Sequence, residues 1–435
     1  MLRLVFVGCI LLVGLVAAIK SRFGALLLYI WFALFRPQEW VWTDITALRL
    51  SVTLGLLLVV PSLLTGIMPT VTHPLSVGAM AFLVSALVAQ RNAIDAELGW
   101  YWCGFLAKLI VVCLFLITLT STRKRLVALL AVISGSFGFY TAKAGAFSIL
   151  AGGSRYREGL AGAFSDNNGY ALAGVMIMYL LIGTAQNISP RWLSRMFWAA
   201  VPLTAMTVVS TFSRAGFLAL MVSLVVYLLL QRRRLVLLLA MVVLVPLGAL
   251  VIPIPAGYVD RLRTITRYEE IQETSALSRL NFWRVALKIA SERPLGIGLW
   301  NFESVYDSYD ATDGLYGRRR AVHNSFLQAL VETGWIGGVF FAGMFAVALR
   351  ICFRLRARSR DPALPVNDQR QLFTTANALV ASIAAFVVGG TFVSAAYTDL
   401  IWFVFGTVAA ADRLSVRMCH EAADAHALAG SSVGA

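Results

Sequence analysis

Charged residues are scarce in this chain of 435 residues: they make up 14% of it, whereas hydrophobic residues make up 59%. A soluble protein of this length could not bury so much apolar surface, so the composition excludes a soluble globular fold. The five cysteines are scattered, and their spacing matches neither a metal site nor a disulfide framework. The sequence therefore predicts a polytopic membrane protein.

Long polar stretches are also rare, because apolar runs of membrane-spanning length recur along the chain. They fall near residues 2–19, 23–35, 48–68, 74–90, 100–120, 126–148, 169–186, 196–212, 215–230, 235–252, 335–353, 372–393 and 399–411. The runs at 23–35 and 399–411 are short, so we expect roughly twelve transmembrane helices in an all-α fold. The topology of the N-terminus stays open, since 2–19 and 23–35 fit either two spans or a re-entrant pair.

The net charge of +15 lies mainly in short linkers between the apolar runs. Arg123–Arg125, Arg232–Arg234 and the segment 350–370 are strongly basic, whereas residues 253–334 hold ten basic and ten acidic residues. Basic short linkers are typical of the cytoplasmic side of a membrane protein. The charge therefore orients the protein and predicts no nucleic-acid partner. By alternation, 149–168 and 253–334 face the other side, which is the periplasm in a bacterium.

These features divide the chain into four regions. We expect N-terminal transmembrane helices over 1–148, a core over 149–352 that includes the periplasmic loop 253–334, and C-terminal transmembrane helices over 353–412. The Ala/Ser/Gly-rich residues 413–435 are expected to form a disordered cytoplasmic tail.

The long loop is predicted to be partly helical. Residues 276–293 have helical periodicity, and Pro294 ends that helix. A second helix is expected from His323 to Gly334, directly before the next span. Residues 307–320 are rich in Asp, Tyr and Gly and are expected to form a lid.

Arginines gather on the predicted periplasmic side. They are Arg155, Arg157, Arg214, Arg279, Arg284, Arg318, Arg319 and Arg320. Their guanidinium groups donate in a fork that matches phosphate oxygens, so they suit a diphosphate leaving group without a metal ion. The alternatives are an interfacial Arg214, loop ion pairs for Arg155 and Arg157, a buried Arg279 and lipid contacts for Arg318–Arg320.

His323 lies beside the last of these arginines. Its ordinary pKa near 6.5 suits a general base at neutral pH, and activation of a sugar hydroxyl needs such a base. Nearby arginines would lower the pKa of His323 and keep the ring neutral. The alternative is a helix-start residue with a structural role. The carboxylate pairs Asp95/Glu97 and Asp307/Asp310 are weak metal motifs, so we predict no metal and no cofactor.

Four motifs, in order along residues 150–345, resemble those of the O-antigen ligase/polymerase superfamily. They are Ser213-Arg214-x-Gly216, Arg279-x-x-x-Trp283, Pro294-Leu295-Gly296-Ile297-Gly298 with Asn301-Phe302, and His323-Asn324 with Leu330, Glu332, Gly334 and Gly337. The N-terminal region, with Arg36-Pro37 and flanking tryptophans, resembles the variant associated with exosortase-type loci.

The resemblance implies a GT-C-like fold in the bacterial inner membrane and an inverting, metal-independent ligase. Its donor would be an undecaprenyl-diphosphate-linked O-antigen, and its acceptor a sugar hydroxyl of lipid A–core. His323 would activate that hydroxyl, and Arg214, Arg279 and Arg155 or Arg157 would bind the diphosphate.

Secondary substrate contacts are expected from Arg284, Arg318, Arg319, Arg320, Asn324 and Glu332. An O-antigen polymerase and a protein O-oligosaccharyltransferase remain alternatives. A lipid-linked oligosaccharide flippase is the alternative from another class, but charged residues such as Lys108 and Lys143 are few within the predicted spans. The sequence leaves the acceptor, the glycan and the oligomeric state open.

Overall fold

The computed structural model describes residues 2–152, 166–251 and 274–433, which are mostly helical and include no strand. Its main helices are α1 (Leu2–Lys20), α2 (Arg22–Phe35), α3 (Leu50–Leu64), α4 (Pro74–Ala89), α5 (Ala96–Leu119), α6 (Arg123–Leu150), α7 (Asn167–Asn187), α8 (Arg191–Ser210), α9 (Arg214–Leu229), α10 (Arg234–Val251), α11 (Thr274–Glu292), α12 (Phe302–Tyr309), α13 (Ser325–Arg358), α14 (Val366–Gly389) and α15 (Asp399–Val433). Within the described residues, nine helices are long and apolar enough to cross a membrane. Helix α9 and the start of α10 are shorter apolar helices. The predicted all-α polytopic membrane fold is confirmed.

The helices pack closely around α7, whose apolar stretch is 94% buried. Small and polar residues make this packing possible. The hydroxyl groups of Thr141 on α6 and Thr204 on α8 lie 2.9 Å apart. Those of Tyr179 on α7 and Ser223 on α9 lie at the same distance. Because lipid tails offer no hydrophobic gain for helix association, close contacts and hydrogen bonds of this kind stabilise membrane bundles.

Loop contacts define two ends of the bundle. At the upper end, which holds residues 36–49, 90–95, 211–213, 293–324 and 390–398, the Asp95 N–H donates to Asn301 Oδ1 over 2.7 Å. The lower end holds the linkers 65–73, 120–122, 188–190, 230–233 and 359–365.

Ion pairs join these lower linkers to one another. Arg123 lies 2.6 Å from Asp368, and Asp412 lies 2.6 Å from Arg358 and 3.4 Å from His73. The basic runs identified in the sequence thus share the lower end.

The N-terminal helices form an antiparallel pair joined at Ser21. The start of α2 reaches the lower end, where the Arg125 guanidinium lies over the Phe23 ring. The start of α1 lies at the upper end, where the Arg3 guanidinium is 4.8 Å from the Trp42 ring centroid. These contacts favour two spans over a re-entrant pair.

The C-terminal residues differ from the expected disordered tail. Helix α15 continues through residue 413 to Val433. Leu414 and Met418, one helical turn apart, are buried, and Arg417 donates to the Ser121 carbonyl. The first turns of the tail stay helical because they extend a membrane helix and keep Leu414 and Met418 packed against the lower end.

The first part of α13 is held by a glycine-dependent contact. The Ile297 and Gly298 amides donate to the Val331 and Glu332 carbonyls, and the Trp335 amide donates to Pro294. Gly334 kinks the helix there, with φ 76° and ψ 177°. This conformation is accessible almost exclusively to glycine.

We expect Gly334→Ala to destabilise the folded protein by about 1–3 kcal/mol or more. An added Cβ would lie 2.5 Å from the Pro294 carbonyl oxygen, in addition to the backbone strain. Thermal unfolding of the purified protein in detergent measures the effect as a lower midpoint. Gly343→Ala is the matched control, because nothing lies within 4 Å of a Cβ at that position in the same helix. Equal midpoints for the two variants would contradict the predicted strain.

Candidate functional site

A small apolar core at the upper end positions α11 above the bundle. Phe282, Val285 and Ile289 on α11 pack with Phe302 and Tyr306 of α12. The helix spans Thr274–Glu292, close to the predicted 276–293, and Pro294 follows it. The periodicity of residues 276–293 predicts that Leu287 shares one face of this helix with Trp283 and Ala290, and this prediction was partly wrong. Leu287 is 49% exposed, because the small core lies on the side of Phe282 and Ile289.

His323 lies between this small core and the bundle. Its backbone N–H donates to Ser394 Oγ over 2.9 Å, and its ring centroid lies 6.0 Å from that of Phe282. The backbone has φ 50°, a left-handed conformation that is uncommon outside glycine. Asn324 caps α13 by accepting from the Phe326 and Leu327 amides. The backbone of His323 is therefore held in place directly before α13. Because Asn324 caps that helix, the imidazole of His323 is not needed as a cap.

The His323 ring lines an open pocket of about 370 Å³. We call it the His323 pocket, and its lining residues are Ser278, Arg279, Phe282, Leu315, Tyr316, Gly317, Arg320 and His323. Two of the predicted arginines thus meet the predicted base in one concave site. The pocket offers a titratable ring beside two permanent positive charges.

The electrostatic environment lowers the pKa of His323 below its ordinary value of 6.5. Burial is the largest cause, because it disfavours the charged imidazolium, and the positive charges of Arg279 and Arg320 act in the same direction. The carboxylate of Asp166 opposes them. The ring is therefore neutral near pH 7, which is the form a general base requires.

Both arginines of the pocket are held by neighbouring groups. The Arg279 guanidinium lies 5.9 Å from the Phe392 ring centroid, on the 390–398 loop. Arg320 Nε donates to the Tyr316 carbonyl over 2.8 Å. Such contacts reduce the freedom of the side chains and direct the remaining N–H groups. The pair suits an anion with several oxygen acceptors.

Arg214 begins α9 on a neighbouring part of the upper end. Ser213 caps that helix and donates to Asn168 Oδ1 over 2.7 Å. Asn168 follows Asp166, whose charge acts on His323. Gly216 allows α7 to pack closely here, since an added Cβ would lie 2.5 Å from the Ala171 methyl group. Arg214 is half-buried and is not among the residues that line the His323 pocket.

The other predicted contacts lie apart from the pocket. Arg284 is exposed on α11, and Arg318 and Arg319 are exposed on the loop before His323. The Arg319 N–H donates to Asp307. Glu332 is 2% exposed and does not line the pocket. Arg155 and Arg157 lie outside the described residues.

Sequence reasoning missed several pocket residues. Ser278 lies one residue before Arg279, and Tyr316 and Gly317 lie in the segment 307–320 that was expected to form a lid. No motif marks these three residues as part of a pocket. Ser394 was also missed, because it joins His323 only through the fold.

The weak carboxylate motifs have structural contacts. Asp95 caps α5 by accepting from the Leu98 amide. Asp310 accepts from Asn281 Nδ2 over 2.9 Å and from the Gly314 amide over 3.0 Å, which fixes the turn after α12. The described ranges contain no group of three metal-ligating side chains.

The charges around His323 predict the direction in which two substitutions shift the pH profile of activity. If His323 acts as a base, activity should fall with decreasing pH through a value below 6.5, because protonation removes the active form. Arg320→Gln removes one charge that lowers the pKa of His323, so the acid limb should move to higher pH. Asp166→Asn keeps a capping side chain but removes the opposing charge, so the limb should move to lower pH. Initial rates measured across this pH range check both shifts, and shifts of the same sign would contradict the assignment.

A family model described as O-antigen ligase matches residues 198–342. That range includes Arg214, Arg279, Arg320 and His323. Another model, described as a family of unknown function, matches residues 1–185. No curated protein matches the chain.

Proposed function

We propose that the protein is an O-antigen ligase, and the match of residues 198–342 to the O-antigen ligase family model supports this proposal. The protein transfers an undecaprenyl-diphosphate-linked O-polysaccharide en bloc to a sugar hydroxyl of lipid A–core. The observation that carries the proposal is the His323 pocket, where a base with a lowered pKa lies beside Arg279 and Arg320. This reaction needs a base that accepts the proton of the acceptor hydroxyl and a site that binds the anionic diphosphate.

The reaction follows from these groups. The acceptor oxygen attacks the anomeric carbon of the donor, and its proton passes to the neutral His323 ring. The new C–O bond forms as the bond from the anomeric carbon to the diphosphate oxygen breaks, and the diphosphate leaves with the electron pair. Attack from the face opposite the diphosphate inverts the anomeric centre. Arg279 and Arg320 stabilise the departing charge, and Arg214 supplies a further guanidinium from α9.

The orientation in the membrane is also proposed. The lower end carries Arg123–Arg125, Arg232–Arg234 and much of the basic segment 350–370, so the positive-inside tendency favours a cytoplasmic lower end. The His323 pocket then faces the periplasm of a bacterial inner membrane. There it is accessible to two substrates that are both anchored in the bilayer.

Arginine charges can neutralise a diphosphate without a divalent ion. We therefore expect transfer to persist in EDTA when purified protein, lipid-linked polysaccharide and lipid A–core are combined in detergent or vesicles. The readout is a gel shift of the lipid A–core band. Loss of transfer that added Mg²⁺ or Mn²⁺ restores would contradict metal independence.

Deletion of the gene and analysis of lipopolysaccharide by gel test the function itself. A ligase predicts loss of all long-chain bands together with accumulation of lipid-linked polymer. Core capped by a single repeat would instead identify a polymerase. Unchanged bands would overturn the proposal and direct attention to protein glycosylation or transport of a lipid-linked oligosaccharide.

A further inference from the structure

A second cavity, of about 420 Å³, lies at the upper end between the N-terminal helices and the start of α15. We call it the Trp102 cavity. Its lining residues include Arg36, Gln38, Trp102, Lys108, Trp300 and Asp399. The volume lies within the range of about 300–1,000 Å³ that is usual for small-molecule sites.

The cavity exists because α2 is short. The helix has 14 residues and ends at Phe35, where the Tyr140 hydroxyl donates to the Phe35 carbonyl over 2.8 Å. Tyr140 is ten residues before the end of α6 at Leu150, so α2 stops about 15 Å below that level at 1.5 Å per residue. Arg36 then turns the chain with φ 50°. The missing turns of helix leave room between α5 and α15.

Aromatic rings form one wall of the cavity. The Trp102 and Trp300 rings are stacked with centroids 4.6 Å apart, and Phe105 packs edge-on at 5.3 Å from Trp102. Both tryptophans are half-buried rather than enclosed. Flat aromatic surfaces of this kind pack against the C–H faces of a ring-shaped ligand and contribute much of the binding energy of a site.

Charge defines the rest of the wall. Two cations, Arg36 and Lys108, and one carboxylate, Asp399, line the cavity. The Arg36 guanidinium lies 3.6 Å from Asp399, and the exposed Lys108 ammonium lies 5.9 Å from the Phe105 ring centroid. The three charges leave an excess of one positive charge along the wall of the cavity. Charged residues that line a cavity of a membrane protein mark sites for polar ligands.

The lining side chains also include buried polar atoms without a hydrogen-bond partner among the described residues, such as the acceptor Gln38 Oε1 and the donor Trp300 Nε1. Buried polar atoms of this kind cost free energy unless something pairs with them. A ligand with several hydroxyl groups supplies both donors and acceptors.

We propose that the Trp102 cavity binds a saccharide that carries a phosphate or carboxylate group. Its ring packs on Trp102 and Trp300, and its anionic group lies near Lys108 and Arg36. The cavity is separate from the His323 pocket, but Ser394 contributes to its wall and accepts the His323 backbone N–H. A bound saccharide would therefore lie one loop away from the candidate base. The inference concerns binding alone and does not rest on the proposed ligase activity.

Binding is tested on the purified full-length protein in phosphatidylcholine nanodiscs. Glucose 6-phosphate is titrated while tryptophan fluorescence and the thermal unfolding midpoint are recorded, with glucose and inorganic phosphate as comparison ligands. We expect a saturable response to glucose 6-phosphate at a concentration at least about tenfold lower than for either comparison ligand, which corresponds to about 1.4 kcal/mol. Lys108→Gln should weaken this response about tenfold or more.

Lys143→Gln is the matched control, because Lys143 is an exposed lysine on α6 and does not line the cavity. It should bind as the wild type does. The proposal is overturned by an equal response of the two lysine variants, by inorganic phosphate binding as tightly as the sugar phosphate, or by the absence of any saturable response in both measurements. Loss of the response in phosphatidylglycerol nanodiscs would assign the cavity to a lipid headgroup instead.

Discussion

His323→Ala is expected to lower glycan transfer by about 10²- to 10⁴-fold, the usual contribution of a general base. The neutral imidazole is the only titratable base among the residues that line its pocket with an ordinary pKa near neutrality. Its loss leaves the acceptor hydroxyl without a proton acceptor. The rate of transfer of lipid-linked polysaccharide to lipid A–core by purified protein measures the effect.

The variant should remain folded, because the contact that His323 makes with Ser394 uses its backbone N–H. Size-exclusion chromatography in detergent checks this point. His420→Ala serves as the matched control, since His420 is exposed on α15 toward the lower end. Residual activity of His323→Ala should also lose the acid limb of the pH profile. Transfer within a few-fold of wild type, or a retained acid limb, would remove the assignment of His323 as the base.

Arg279→Ala is expected to lower kcat by about 10²- to 10³-fold, as does the loss of one donor that stabilises developing negative charge. Arg279 lines the His323 pocket, and its charge also lowers the pKa of His323. Arg279→Lys keeps a positive charge but loses the planar fork, so its loss should be smaller but still clear, about tenfold or more. Steady-state kinetics of all three proteins measure these differences.

The two roles of Arg279 can be separated by pH. The alanine variant should move the acid limb to higher pH, because a charge that disfavours imidazolium is gone. The lysine variant should keep the limb near its wild-type position and lose rate alone. Arg293→Lys, at an exposed position just beyond α11, is the matched control and should leave both unchanged. Full activity of Arg279→Lys would show that charge alone suffices and would contradict recognition by a guanidinium fork.

The candidate base and its helix were predictable because the signals are local. His323 lies three residues after Arg320 and precedes a helix start, and the α11 boundaries follow from periodicity and Pro294. What could not be predicted was which arginine of the run lines the His323 pocket. Arg320 does and Arg318 and Arg319 do not, because the loop turns through positive φ at Gly317 and Arg319.

Residues far apart in the chain were harder to assign. Glu332 belongs to a motif block and was expected near substrate, yet it is buried, because Gly334 kinks α13 against residues 294–298. The tail was expected to be disordered from its small-residue composition, whereas α15 carries it onward as an amphipathic helix. The composition of a segment does not show which distant residues pack against it.

The sequence by itself determined the membrane class and the all-α fold, and its motifs agree with the O-antigen ligase family model that matches residues 198–342. These properties depend on hydrophobic run length, charge placement and short motifs, all of which are local. Only the tertiary structure decided that Arg279, Arg320 and His323 share a pocket, and that Arg36, Trp300 and Asp399 enclose a cavity with Trp102. The physical reason is that helix packing determines where distant side chains meet. The cavity beyond the end of α2 is lined by several segments, so it cannot be predicted from one of them alone.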